Sequence, residues 1–146
     1  MGDIAKDINT TFPNNKVKAL LNLIYTANWI NSEQNSFFKP YGISPQQYNI
    51  LRILRGAGEA ITVQTIKDRM LERAPNATRL MDKLCDKHLI IRERCEIDKR
   101  VVYVKVLEEG LVLLSEIDKV SFNLNFLHNL SEKESEQLSN LLDKIR

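Results

Sequence analysis

The amino-acid sequence predicts a mainly α-helical chain that carries one small β-hairpin. Three observations predict it. Apolar residues recur at helical spacing along most of the chain, as in Leu80, Met81, Leu84 and again in Leu113, Leu114, Ile117, Val120. One short stretch breaks that rhythm: Val101-Val102-Tyr103-Val104, with Val106 beyond it, is a run of strong strand formers. Helix starts are also marked chemically, by Ser44-Pro45-Gln46-Gln47 and by Ser131 with Glu134. In each, a hydroxyl and a side chain three residues on can satisfy free backbone donors.

Residues 1–15 read as a flexible arm ending in Phe12-Pro13-Asn14-Asn15. A long helix is predicted from Lys16 to about Phe37. Val17, Leu20, Leu21 and Ile24 form one face, Ala19, Leu23 and Ile30 a second, Tyr25 and Trp29 a third. A helix apolar nearly all round needs cover on several sides. In so small a protein a second subunit is the natural source. Pro40 and Gly42 end it.

The next helix starts at Pro45, runs to about Arg55 and points Tyr48, Leu51 and Leu54 inward. Pro45 suits a first helical position, where the missing N–H costs nothing. Thr62 is placed to cap a short helix reaching about Leu71, with Val63, Ile66 and Met70 inside. A linker over 71–74 leads to a helix opening at Pro75 and ending near Lys87. Its core face is Ala77, Leu80, Met81, Leu84 and His88. Two strands, 89–95 and 101–106, are joined by a turn over 96–100. After Gly110 a long helix is expected to about His128. Its apolar faces include Leu113, Ile117, Leu124 and Phe122. A last helix buries Leu138, Leu141, Leu142 and Ile145.

Composition excludes several functions. With 146 residues, 43% hydrophobic and 27% charged, the chain is an ordinary globular protein. No apolar run approaches the ~20 residues of a membrane helix, and the N-terminus lacks a secretory signal, so the expected location is the cytoplasm. Cys85 and Cys95 are the two cysteines and His88 and His128 the two histidines. They form no metal-ligand spacing, so neither metal nor cofactor is expected. No phosphate loop or nucleophile motif is present, so no enzyme activity is expected.

Charge is distributed unevenly around a net of +2. Residues 60–105 hold eleven Lys or Arg against seven Asp or Glu, whereas 106–146 hold four against eight. The most basic segment is the one predicted as helix, turn, helix and hairpin. That order is a winged helix-turn-helix, which lays its second helix in a DNA major groove about 12 Å wide. Near the start of that helix, Asn76, Thr78 and Arg79 lie on the outer face. Arg79 is suited to forking two hydrogen bonds onto a guanine, Asn76 to pairing with an adenine. Lys83, Arg69, Arg73, Arg92 and Lys99 are phosphate-contact candidates. Arg100, at the hairpin, is suited to the adjacent minor groove, where a narrow groove concentrates negative potential and favours an inserted Arg. Asp98 has a structural role there, accepting from the turn backbone or pairing with Arg94. The competing reading of each is a solvated polar side chain.

The stretch Leu84-Cys85-Asp86-Lys87-His88-Leu89-Ile90-Ile91-Arg92, then Asp98-Lys99-Arg100, then Val104-Lys105-Val106-Leu107-Glu108-Glu109-Gly110, resembles the MarR family of bacterial transcription regulators. Pro75-Asn76-Ala77-Thr78-Arg79-Leu80 resembles the start of that family's recognition helix, and Ser44 to Leu51 its second helix. The likeness covers about residues 16–146. It implies a homodimer: residues 16–40 and 107–146 as a helical dimerisation region, and 41–106 as the winged DNA-binding domain. It further implies double-stranded DNA with a palindromic operator as partner, and repression relieved by a small aromatic or phenolic effector. Tyr25, Trp29 and Tyr48 are candidates to line an effector pocket, against ordinary core packing. Two other readings stand beside this one. The first is a winged-helix module that binds protein instead of DNA. The second is a thiol-based redox sensor using Cys85 or Cys95. His88 departs from the family, which commonly has glycine there, and Leu107-Glu108-Glu109 replaces a frequent Leu-Thr.

Overall fold

The computed structural model describes residues 2–72 and 75–146, with the backbone alone described at Phe122 and Asn123. Arg73, the end of the expected linker, and the apolar face assigned to Phe122 lie outside the described residues. The chain divides into two compact units, Met1–Pro45 and Gln46–Arg146.

In the first unit, the expected arm contains a short helix, α1 (Ile4–Asp7). Asp3 caps it by accepting from the Ala5 N–H at 3.2 Å, and Ile4 is buried. A cap and one buried apolar side chain suffice to order four residues that show no helical periodicity. Helix α2 (Asn15–Phe38) begins one residue before the expected start. Asn14 sets that start, its Oδ1 accepting from the Val17 N–H at 3.0 Å. Most of α2 is exposed: Leu20 to 57%, Ile24 to 49%. A tight turn, Lys39–Tyr41, closes the unit, and Gly42 follows at φ +67°. That left-handed value is readily adopted by glycine.

The second unit holds α3 (Pro45–Ala57), β1 (Ile61–Thr62), α4 (Val63–Arg69), α5 (Ala77–Asp86), β2 (Ile90–Arg94), β3 (Val102–Val106), α6 (Glu108–Asp118) and α7 (Glu132–Asp143). Its core is Ile50, Leu51 and Leu54 from α3, Ile66 from α4, and Met81 and Leu84 from α5. Val104, Leu114 and Ile117 complete it. Ile50, which the helical pattern did not single out, is fully buried with them. Gln47 is buried too, and its Nε2 donates to the Leu80 carbonyl at 3.2 Å, joining α3 to α5.

The hairpin strands are each shorter than expected, and they belong to a three-stranded antiparallel sheet in the order β1-β3-β2. Ile90 pairs with Val106 and Arg94 with Val102, while the two-residue β1 pairs Ile61 with Val104. A two-residue strand carries no alternation, so β1 is invisible in the sequence. Thr62 ends β1 and caps α4, accepting from the Thr65 N–H at 3.1 Å, as expected.

Four expectations need correction. Helix α5 begins at Ala77, with Pro75 before its cap instead of inside its first turn. His88 does not face the core. It is exposed, at φ +56°, and closes α5: its N–H donates to Cys85 O at 2.9 Å and Leu89 N–H to Leu84 O at 3.0 Å. That pair of bonds needs a left-handed residue between them, and His88 takes the place where glycine is easiest. The long helix expected after Gly110 starts earlier, at Glu108, and stops at Asp118. Beyond Asp118 the Ser121 hydroxyl donates to the Asp118 carbonyl at 3.0 Å, competing with helix propagation. A separate tight turn follows at Ser121–Leu124. Last, α7 does not bury its apolar stripe within this chain: Leu138 is 37% exposed, Leu141 61% and Ile145 70%. Its predicted capping box is present, with Ser131 and Glu134 each bonding the other's backbone N–H.

Candidate nucleic-acid interface

Helix α5 presents two faces. Ala77, Met81 and Leu84 are buried, whereas Thr78, Arg79 and Lys83 are exposed on the outer face. Asn76 occupies the cap position but makes no capping bond, so its exposed amide stays available. Asn76 thus leaves first-turn N–H groups uncapped among the described residues, and such groups attract anions such as phosphate. Arg69 is exposed in the last turn of α4.

The hairpin tip is held by its backbone. Cys95 N–H donates to Val101 O and Val101 N–H to Asp98 O, both at 2.9 Å. Asp98 Oδ1 accepts from the Arg100 N–H at 3.0 Å. Asp98 therefore does one of the two jobs the sequence suggested, fixing the turn. Its other suggested partner, Arg94, enters no ion pair among the described residues and stays exposed near the end of β2. Lys99 and Arg100 project from this fixed turn, both exposed.

Arg92 is a different case. The sequence marked it for phosphate, but its guanidinium forms a salt bridge to Asp82 and is partly shielded. Burial works against its charge, yet the hydrogen bond to Asp82 and the nearby Cys85 and Asp82 hold its pKa above the ordinary value. The pair links the middle of α5 to β2, ten residues apart in sequence, and no local pattern announces it. A second cross-link joins Arg55, in the last turn of α3, to Asp118, in the last turn of α6, at 2.6 Å. That hydrogen bond, chiefly, holds the Asp118 carboxyl below its ordinary pKa.

Cys85 and Cys95 are free thiols, each partly exposed. A cavity of about 550 Å³ lies behind the hairpin, lined by Cys85, His88, Ile90, Arg92, Arg94 and Val102 among others. Of the aromatic candidates, Tyr25 and Trp29 are half-exposed on α2. Tyr48 lies on α3, where its hydroxyl accepts from Arg52 at 3.0 Å. No group of three metal-ligating side chains occurs among the described residues. No described helix is long and apolar enough to cross a membrane.

Helix α5 and the hairpin thus belong to a winged helix-turn-helix scaffold on which Arg79, Lys83, Lys99 and Arg100 are exposed. Comparison with known proteins agrees. The model of the MarR family matches residues 43–102. The chain is 30% identical over 118 residues to the HTH-type transcriptional regulator MhqR of Bacillus subtilis, spanning 80% of this chain and 81% of that one. It is similar to the crystal structure of a MarR transcription factor from Planctomyces limnophilus: 32% identity, TM-score 0.71, 91% of this chain and 98% of that chain. It is also similar to a mutant MarR from E. coli complexed with operator DNA: 27% identity, TM-score 0.75, 92% and 99% of the two chains. This chain belongs to the MarR family of winged helix-turn-helix regulators, which are transcription factors and not enzymes.

Proposed function

We propose that this regulator binds a palindromic operator as a homodimer and represses transcription until a small aromatic effector releases it. One observation carries the DNA-binding part: Arg79, Lys83, Lys99 and Arg100 are exposed and enter no ion pair among the described residues. Cations kept free of internal partners are available for phosphates and base edges. The similar E. coli MarR mutant was solved with operator DNA, which supports the same use of this fold here. The uncovered apolar faces of α2 and α7 support the dimer, because isolated chains rarely leave so much aliphatic surface in water. Two identical lobes about a two-fold axis read half-sites roughly one helical turn, ~34–36 Å, apart.

The test begins with selection of bound fragments from random duplexes by the purified protein, followed by gel shifts at several salt concentrations. Arg79→Ala and Arg100→Ala should each weaken operator binding by ~1–3 kcal/mol, and Arg79→Ala should also relax base preference. Unchanged affinity in both variants would overturn this placement of the contacts. Trp29 is the only tryptophan, so its fluorescence reports aromatic effectors directly. Effectors that dissociate the operator without altering that signal would remove Trp29 from the pocket.

A further inference from the structure

We infer that Ile97 is an apolar minor-groove reader at the wing tip, which together with Arg100 selects A·T over G·C base pairs beneath the hairpin. The inference rests on the DNA-binding reading above and adds a specificity determinant to it.

Ile97 is 98% exposed, and no other large apolar side chain among the described residues is more so. It sits between Glu96 and Asp98, in a tip closed on both sides by the bonds from Cys95 to Val101 and within Asp98–Val101. Those bonds hold the backbone on either side of Ile97. The side chain is β-branched and stiff at χ1, so little conformational freedom is lost on contact. An isoleucine gains nothing beside a phosphate. It gains by burial against sugar edges and base edges, and proteins that enter the minor groove often place Ile, Leu or Phe there.

The chemistry of that groove then determines the preference. A·T pairs show only the adenine N3 and thymine O2 acceptors, whereas G·C adds the guanine N2 amino group. An aliphatic side chain cannot accept from that amino group. Pressing Ile97 over a G·C pair would strip water from a donor and leave it unpaired. Arg100, on the same tip, favours the narrow and negative groove of A·T-rich sequence. The two side chains thus push in one direction, one by attraction and one by exclusion.

The test uses the full chain and its selected operator. Hydroxyl-radical footprints of wild type and Arg100→Ala locate the base pairs beneath the wing. At those pairs A·T is replaced by G·C or by inosine·cytosine, which has the major-groove edge of G·C but lacks the minor-groove amino group. Wild type should bind the inosine duplex like the A·T duplex and the G·C duplex about tenfold more weakly, equivalent to ~1.4 kcal/mol. Ile97→Ala should lose about fivefold in affinity with an unchanged salt slope, since no charge is removed. Ile97→Asn, which can accept from the amino group, should shrink the G·C penalty. Thermal unfolding of both variants should match wild type. Ile97→Ala binding within twofold of wild type, with the same G·C penalty, would overturn the inference while leaving DNA binding intact. Equal wild-type affinity for all three duplexes would do the same. Failure of wild type to bind any of the three duplexes would overturn the DNA-binding reading itself.

Discussion

Replacing Gly110 by alanine should destabilise the second unit, although alanine is the better helix former. Gly110 lies in the first turn of α6 and is buried. A Cβ there would stand 2.5 Å from the Leu89 carbonyl oxygen and 2.8 Å from Val106 Cγ2. The valine methyl can turn aside, but the carbonyl cannot retreat freely. It accepts the Leu107 N–H at 3.0 Å and belongs to the chain entering β2. Helix propensity favours alanine by about 1 kcal/mol. Overpacking against fixed atoms costs ~1–3 kcal/mol, and weakening the Leu107–Leu89 bond costs about 1 kcal/mol more. The clash wins, for a net loss of about 1–3 kcal/mol. At roughly 2–4 °C per kcal/mol for a chain of this size, Tm should fall by about 2–12 °C. Urea and thermal unfolding followed by circular dichroism, at one fixed protein concentration, measure both quantities. Gly110→Ala as stable as wild type would show that α6 moves off the hairpin at no cost, and the close approach would have lost its meaning.

His88→Gly should raise stability by about 0.5–1 kcal/mol, because a non-glycine residue pays to occupy the left-handed position that ends α5; equal or lower stability would show that the His88 side chain contributes contacts of its own. A double-mutant cycle on Asp82→Ala and Arg92→Ala should give a coupling of ~0.5–1 kcal/mol in unfolding, as expected of a half-exposed pair. Operator affinity should show the same coupling if the pair sets the orientation of α5, and zero coupling in both measurements would leave the bridge idle. Asp118 contributes to the pH dependence. Its folded pKa lies below the ordinary 3.8, so its contribution is fully present above that value and is lost as pH falls through the lowered one. Asp118→Asn should therefore flatten the acid limb of stability below about pH 4 and change little at pH 7 relative to Arg55→Gln in the same background. An acid limb identical to wild type would remove the Arg55–Asp118 bridge from the ledger.

Much of the molecule was legible in the residue order. Apolar spacing placed α2, α3 and α5, the valine run placed β3, and Thr62 and Ser131 marked their helix starts. Those features are local: a cap or a periodic face involves residues within four positions of one another, so the sequence displays them directly. The candidate cations of α5 followed from the same periodicity, since residues off the apolar stripe must face outward, and those of the hairpin from their place in the turn.

What only the tertiary structure decided depends on partners far apart in the chain. The two residues of β1 are a strand because β3 lies beside them. Arg92 is tied to Asp82, ten residues away, by a bridge that no local pattern announces. Gly110 acquires its meaning from the Leu89 carbonyl, and Ile97 from a turn that leaves it nothing to pack against. Helix α6 ends at Asp118 although the apolar pattern continues, because the pattern records which side chains want cover but not where this chain can supply it. The sequence by itself therefore determined most of the helices, the hairpin and the family. The three-dimensional arrangement determined which charges remain free, and free charge is what a DNA-binding surface requires.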